Sequence, residues 1–278
     1  TEEDADGAVL ARVEEAAGTG AWTEVSPALY ETLSLAQEMA RQSDGAFDVT
    51  SGTLTELWDA ARAAQHPPTA EEIAAAQSRV DWHALELRER AADDGEHPEV
   101  RLLRAGMKID RGALIKGLAL DGIARSWAAG GAVNALADLG SSSILAFGVN
   151  AEGEPWRIGV RNPRGESRSD LAATVQLSDA MLSASGDDER YFLYEGRRYH
   201  HLVDPRTGDP AETGLASVTV ILPQDAMTGT MWAGHEGQLS DMLSTAIFVM
   251  GAERGRSLLT DIPGAQLILI GTDGRVIE

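Results

Sequence analysis

The sequence predicts an α+β fold with mixed, mainly antiparallel sheets and flanking helices. Two observations support this prediction. Apolar and β-branched segments lie on either side of short turns, as residues 191–194 and 198–203 do around residues 195–197, which is typical of a hairpin. Amphipathic helical segments separate such pairs, without the regular strand–helix alternation of a parallel sheet. We expect residues 1–278 to form one large domain, since this length suits a single core.

The first part of the chain is predicted to be mainly helical. Residues 9–17 have the pattern of a short helix. Ser26 followed by Pro27 predicts a helix start, because Ser caps a helix and Pro suits its first position. This helix should stop at residues 43–45. Residues 69–72 (Thr-Ala-Glu-Glu) form a capping box and predict a further helix.

A loop and a hairpin are expected before the middle of the chain. Residues 91–98 are polar and predict a surface loop. Residues 100–103 and 107–110 flank Arg-Ala-Gly at 104–106, which favours a hairpin.

The second half is predicted to consist mainly of strands. A polar corner is expected at residues 184–188, an irregular connection at 223–239, and a helix that is capped by Ser240 and closed by Gly251. A further helix is expected at 253–260. The predicted strands are residues 132–138, 144–147, 156–160, 171–176, 181–183, 191–194, 198–203, 216–222 and 266–270.

The stretch from Met107 to Asp121 is the most informative part of the sequence. It begins with strand-like alternation, breaks at Gly112 and continues as an amphipathic helix. The first amides of such a helix suit a phosphate. Lys116 is one of only two lysines, against 21 arginines, and a compact ammonium binds phosphate as a point charge. The alternative is an ordinary connection with an exposed lysine.

Composition excludes several classes of function. The formal net charge is −21, which makes nucleic acid and anionic membrane surfaces unfavourable partners. A phosphorylated ligand would need a local cation. There is no cysteine, so thiol chemistry is excluded, and no apolar run reaches the roughly 18 residues that span a bilayer.

Asp241 and Thr245 are a candidate metal pair. They lie four residues apart on a predicted helix, so their oxygens share one side. A carboxylate and a hydroxyl form an oxygen-only set that suits Mg²⁺. Helix capping by Asp241, with Thr245 inside the helix, explains the same residues.

Four stretches in the same order resemble the FAD:protein FMN transferases, the ApbE-type flavin transferases. The family patterns are GxFDxT with LW, DLGxxxKGxxxD, TSGxY with YxHIxDPxTG, and DxLxTxxxxxG. The corresponding stretches of this chain are residues 45–58, 109–121, 183–208 and 241–251.

The chain also departs from that family. Residues 140–142 are Gly-Ser-Ser where the family commonly has Gly-Gly-Asp, and Leu114 and Ile115 stand where small residues are usual. Arg111 replaces a common Leu, and the connection at 223–239 is longer than usual. The resemblance implies an ApbE-like domain whose N-terminal part is truncated. It also implies an extracytoplasmic location, as a periplasmic protein or a lipoprotein with its signal removed, with a cytoplasmic location left open.

The resemblance implies roles for particular residues. His201, expected on a strand, would act as a general base or orient an acceptor hydroxyl, whereas its neighbour His200 points to the other sheet face. The alternative for His201 is a structural histidine. The metal site would comprise Asp241, Thr245 and a backbone carbonyl near Ala113.

Further residues are candidates for binding the flavin. Asp48, Thr50 and Asp121 would contact the flavin or ribose, with turn stabilisation or a solvated helix face as the alternatives. Ser185 and Gly186 would approach the flavin through their backbone, with a tight turn as the alternative.

The implied reaction moves FMN from FAD to a Thr or Ser hydroxyl of an acceptor flavoprotein, releases AMP and requires Mg²⁺. Lys116, His201 and Asp241 would carry the catalysis, and Lys116 would also bind the dinucleotide. A Mg²⁺-dependent FAD pyrophosphatase and a non-catalytic flavin-binding protein are the alternatives.

Overall fold

The computed structural model describes residues 2–92, 95–140, 142–167 and 169–277. Its helices are, in chain order, α1 (Glu2–Glu15), α2 (Pro27–Gln42), α3 (Gly52–Ala64), α4 (Ala70–Gln77), α5 (Gly112–Ala129), α6 (Glu236–Met250) and α7 (Ala252–Arg256), with short 3-10 helices at Trp82–Ala84 and Ser257–Leu259. Its strands are β1 (Thr23–Glu24), β2 (Leu85–Ala92), β3 (Gly95–Leu102), β4 (Ala135–Asp138), β5 (Ser143–Phe147), β6 (Trp156–Arg161), β7 (Leu171–Leu177), β8 (Ala180–Gly186), β9 (Tyr191–Tyr194), β10 (Arg197–His200), β11 (Leu215–Pro223), β12 (Gln266–Gly271) and β13 (Val276–Ile277).

The sheets are built from antiparallel neighbours. A six-stranded sheet has the order β13-β12-β11-β8-β5-β4, and a three-stranded sheet has the order β1-β3-β2. Neighbours in both sheets, and in the separate β6–β7 pair, run antiparallel. Together with the flanking helices, this topology confirms the α+β prediction. No helix in the described ranges is long and apolar enough to span a membrane.

The chain packs into two compact units, each assembled from separate stretches. The first comprises the chain up to Arg111 together with Phe192–Tyr199 and Val203–Asp209. The second comprises Gly112–Tyr191, His200–Leu202 and the chain from Pro210 onward. A single domain over residues 1–278 stays a prediction.

Helix capping in the first unit follows the sequence closely. The Ser26 hydroxyl accepts a hydrogen bond from Leu29 N at 3.1 Å, and α2 ends at Gln42. The Thr69–Glu72 capping box is present at the start of α4. Both helix starts were predicted from local residues, because the caps bond within their own first turn.

An aromatic cluster anchors α3 in the first unit. Trp58 is buried with Phe192, and its ring stacks on Tyr199 with a centroid distance of 5.7 Å. Trp58 Nε1 donates to the Gly208 carbonyl at 2.9 Å. The buried polar end of the indole is therefore satisfied.

The paired strands β2 and β3, residues 85–102, differ from two of the sequence-based expectations. The loop predicted at 91–98 and the hairpin predicted at 100–110 are wrong, because β2 and β3 pair along their whole length, with the tip at 93–94 outside the described residues. The strands carry cross-strand ion pairs in place of apolar residues, such as Arg88 and Arg90 with Glu99. This polar pattern resembles that of a loop. Residues 107–110 form only a single bridge, between Lys108 and Ser51.

The six-stranded sheet of the second unit is covered on both faces. Trp156, Ile158 and Val175 of the β6–β7 pair pack on one face. Leu120 of α5 packs against Leu145 and Met181 on the other face. Residues of β8 therefore alternate between a face toward the β6–β7 pair and a face toward the helices.

Phe248 on α6 is fully buried, so its removal should destabilise the fold. We expect Phe248→Ala to lower the free energy of unfolding by about 3–5 kcal/mol, because a large buried ring leaves a cavity. The control Leu193→Ala, at a residue that is 59% exposed, should cost under about 0.5 kcal/mol. Urea denaturation followed by circular dichroism measures both, and equal losses would contradict the burial of Phe248.

Candidate functional site

The candidate site lies where α5 and α6 cross in the second unit. The two helices approach through glycines, because a Cβ at Gly117 would lie 2.6 Å from Gln238 Cα. A Cβ at Gly237 would lie 2.8 Å from the Gly117 carbonyl oxygen. Real Cβ atoms do not tolerate such distances, so only glycine allows this approach.

Asp241 faces α5 from inside α6. The helix begins at Glu236, so the expectation that it starts at Ser240 is wrong, and Asp241 does not cap it. Instead, Asp241 Oδ2 accepts a hydrogen bond from Gly117 N of α5 at 3.1 Å. Burial raises the pKa of the Asp241 carboxyl to about 6, while the nearby Lys116 ammonium opposes this rise.

Helix geometry relates the Ala113 carbonyl to the Asp241 carboxylate. In an α-helix the amide of Gly117 points toward the carbonyl four residues earlier, which is that of Ala113. Because Gly117 N donates to Asp241 Oδ2, regular helix geometry would bring the two oxygens to the same amide. The resemblance paired these same two residues.

Thr245 belongs to a row of hydroxyls between α6 and β8. Ser185 Oγ shares hydrogen bonds with Thr245 Oγ1 at 3.1 Å and with Ser244 Oγ at 2.8 Å. Ser183 and Ser240 form a similar pair at 2.8 Å. Thr245 follows Asp241 by one helical turn, so both present oxygen atoms on one side of α6.

These oxygens form a candidate metal-binding set. Within the described ranges, no three His, Cys, Asp or Glu side chains converge to hold a metal ion. The available donors are one carboxylate, hydroxyls and a backbone carbonyl. This oxygen-only set fits Mg²⁺, which completes its coordination with water and phosphate.

Lys116 places a positive charge near the Asp241 carboxylate. Its Nζ donates to Ser142 Oγ at 2.6 Å. Its positive charge lowers the pKa of both Asp241 and His201. Lys116 therefore lies close to both residues.

His201 follows the end of β10 and does not lie on the strand, so that expectation is wrong. The strand ends at His200, and His201 N donates to the Arg190 carbonyl at 3.0 Å. The Nδ1 atom of His201 is buried and has no hydrogen-bond partner within the described residues. Such an atom is rare in a folded protein, and a water, an ion or a catalytic role would account for it.

The electrostatics around His201 favour a neutral ring. Burial is the largest cause, and it lowers the pKa of His201 to about 3. The positive charges of Arg190 and Lys116 act in the same direction. A neutral imidazole keeps one nitrogen lone pair that can accept a proton.

Asp121 is buried, and both its carboxylate oxygens bond to α6. Gly237 N donates to Oδ1 at 2.7 Å, and Gln238 N donates to Oδ2 at 3.2 Å. Burial raises the pKa of Asp121 to about 6. The solvated helix face considered for Asp121 is wrong, since the residue is 1% exposed. Its bonds to α6 favour a structural role over a flavin contact.

Ser185 and Gly186 do not face the same way. The corner expected at residues 184–188 is wrong, because β8 continues to Gly186. Ser185 faces α6, and Gly186 faces the β6–β7 pair. There it lines a cavity of about 250 Å³ with Ile158 and Leu182, on the opposite side of the sheet from Asp241.

Asp48 and Thr50 lie in the first unit and bond to each other. Thr50 N and Oγ1 both donate to Asp48 Oδ1 at 2.7 Å. Trp82 N donates to Asp48 Oδ2 at 3.0 Å, and Asp81 N donates to Thr50 Oγ1 at 2.9 Å. This network stabilises the turn, which was the alternative to a flavin contact.

Comparison with known proteins identifies the family. A model of the ApbE family matches residues 3–269. The chain belongs to the ApbE family. An FAD:protein FMN transferase from Treponema pallidum is 33% identical, and the match covers 98% of this chain and 73% of that protein. An FAD:protein FMN transferase from Haemophilus influenzae is 29% identical, and the match covers 90% of this chain and 68% of that protein.

Solved ApbE structures have the same fold. The crystal structure of the ApbE protein from Thermotoga maritima matches with a TM-score of 0.75 at 32% identity, covering 97% of this chain and 81% of that one. Flavin transferase ApbE from Vibrio cholerae matches with a TM-score of 0.76 at 25% identity. The match covers 96% of this chain and 79% of that one.

Sequence reasoning about this ApbE-family chain missed Gly237 and Ser142. Gly237 lies one turn before Asp241 on the same side of α6. A small residue on the face that carries a functional carboxylate was an available signal of close helix contact. Ser142 was noted only as part of the departure at residues 140–142, and its contact with Lys116 was not predicted because it joins residues distant in the sequence.

The buried Asp48 predicts a pH dependence of stability. Its pKa is raised by burial from an ordinary value near 4 to about 6. Its contribution to stability is therefore fully present below about pH 4 and is lost as the pH rises through about 6. We expect the stability difference between wild type and Asp48→Asn to shrink over this interval. Urea denaturation across pH 4–7 measures it, and parallel curves would contradict the shift.

Proposed function

We propose that this chain is an FAD:protein FMN transferase, which moves FMN from FAD to a Ser or Thr hydroxyl of an acceptor protein and releases AMP. The observation that carries the proposal is the contact of Asp241 with the α5 amide of Gly117, close to Lys116, at the crossing of α5 and α6. Thr245 follows Asp241 by one helical turn on α6. Relatives named FAD:protein FMN transferase support it. An extracytoplasmic location belongs to the same proposal and rests on the resemblance to exported family members.

The reaction is a substitution at phosphorus. The acceptor oxygen bonds to the phosphorus of the FMN half, and the anhydride bond to the AMP phosphate breaks. AMP leaves with the bonding electron pair, and the acceptor hydroxyl loses its proton. Because charge on the phosphate oxygens must be stabilised, positioned cations dominate catalysis of such reactions.

Lys116 supplies one of these cations. The chain has a net charge of −21, so an anionic dinucleotide requires local positive charge. Among the described residues, the Lys116 ammonium donates to the neutral Ser142 hydroxyl and lies near the Asp241 carboxylate. Its positive charge would attract a phosphate at this point of the site.

His201 supplies the base. Its pKa near 3 arises from burial and from neighbouring positive charges, including Lys116. Burial is the largest of these causes, so the ring is neutral and carries a nitrogen lone pair. That lone pair would receive the proton of the acceptor hydroxyl.

Asp241, Thr245 and the Ala113 carbonyl would hold Mg²⁺. When bound, the ion supplies positive charge next to the phosphate oxygens. Asp241 also binds Gly117 N, which orients the carboxylate before any ligand arrives. Partial burial raises the pKa of Asp241, and a cation would stabilise the carboxylate in its charged form.

The transfer itself is tested with FAD, Mg²⁺ and an acceptor peptide that carries a Ser or Thr flavinylation motif. We expect the peptide to gain the mass of an FMN group, with AMP released in equal amount. AMP and FMN formed without modification of the peptide would instead identify a pyrophosphatase. Intact-mass spectrometry distinguishes these outcomes.

Variants of His201 and Lys116 separate chemistry from binding. His201→Ala should lower the transfer rate by about 10²–10⁴ with little change in FAD affinity, because a general base acts in the transition state. Lys116→Ala should lower both the transfer rate and the affinity for FAD. Lys108→Ala is the matched control, since Lys108 pairs with Glu56 on the surface. Normal turnover by His201→Ala would show that the residue is structural.

Asp241→Asn tests the metal. The variant keeps an acceptor for Gly117 N but loses the charge, so half-maximal transfer should need a higher Mg²⁺ concentration. Asp225→Asn makes the same charge change at an exposed loop residue and should behave as wild type. Superimposable Mg²⁺ titrations of Asp241→Asn and wild type would remove Asp241 from the metal site.

A further inference from the structure

The helices α5 and α6 hold each other by two reciprocal Gly–Asp contacts. On α5, Gly117 precedes Asp121 by one turn, and on α6, Gly237 precedes Asp241 by one turn. Gly237 N donates to Asp121, and Gly117 N donates to Asp241. Each helix therefore presents a glycine amide to the carboxylate of the other.

The carboxylates of Asp121 and Asp241 differ in how many of their oxygen lone pairs remain accessible to a ligand. Asp121 is 1% exposed and accepts from two α6 amides and from Gln238 Nε2 at 3.1 Å. Asp241 is half-buried, and within the described ranges it accepts from one backbone donor, Gly117 N. The oxygens of Asp121 thus accept hydrogen bonds from α6, whereas the oxygens of Asp241 retain lone pairs that can bind another partner.

Asp121 also replaces the missing cap of α6. The residue before the helix, His235, makes no side-chain capping bond. The first amides of a helix need acceptors, and the Asp121 carboxylate satisfies those of Gly237 and Gln238 from outside the helix. The start of α6 is therefore fixed to α5 rather than capped locally.

We propose that Asp121 is a positioning residue, which sets the spacing of α5 and α6 and thereby places Asp241 beside the Ala113 carbonyl. This inference rests on the proposed function, since it concerns the same metal site. Residues that orient metal ligands typically contribute about 10–100-fold to metal affinity.

The test measures Mn²⁺ binding directly, from the electron paramagnetic resonance signal of the free ion. Asp121→Asn should weaken Mn²⁺ binding by about tenfold or more, because its amide N–H group meets the donors of α6. Gly237→Ala should do the same without any change of charge, because its Cβ would lie 2.5 Å from Asp121 Oδ1. This second variant keeps the test decisive if Asp121→Asn does not fold.

Ile247→Ala is the matched control for lost stability. Ile247 is fully buried on α6 but lies beyond the crossing, so the variant should lower the melting temperature while binding Mn²⁺ as wild type does. Unchanged Mn²⁺ binding by Asp121→Asn and Gly237→Ala would overturn the inference, as would a wild type that binds no Mn²⁺. Mn²⁺ binding that depends on Asp121, in a protein without transfer activity, would support the inference and count against the proposed function.

Discussion

The contact between α5 and α6 is the constraint on which the site depends. Two glycines let the helix backbones meet, and a carboxylate from each helix then reaches an amide of the other. Neither helix carries the full set of groups needed at the site. Lys116 and Ala113 come from α5, and Asp241 and Thr245 come from α6, so the spacing of the helices decides whether these groups meet. A shift of one ångström in such a site is costly for catalysis.

Charge is distributed in a way that suits an anionic substrate on an acidic protein. Burial raises the pKa of Asp121 and Asp241 to about 6. The anionic form of Asp121 is stabilised by backbone amides. The anionic form of Asp241 would be stabilised by a bound cation. Lys116 lies close by with a neutral hydroxyl as its partner. The local field therefore favours cations at Asp241 and phosphate at Lys116, despite the overall charge.

The features that the sequence predicted well are those determined by neighbouring residues. The Ser26 cap and the Thr69 capping box act within one helical turn, and both are present. The start of α6 was not predictable in this way, because its acceptor, Asp121, is distant in the chain. The β2–β3 pair was missed because its strands are held by ion pairs such as that of Arg88 with Glu99, which local pattern does not distinguish from a polar loop. At the site, residue types were predictable from motifs, whereas the roles of Asp121 and Ser142 required the fold.

A protein with only two lysines offers few targets to amine-directed reagents. Lys108 is held by Glu56 on the surface, and Lys116 lies at the helix crossing. Lys116 therefore serves as the labelling probe and Lys108 as an internal standard within the same molecule. Covalent labelling of Lys116, measured relative to that of Lys108, would report the occupancy of the proposed phosphate position without any assay of turnover.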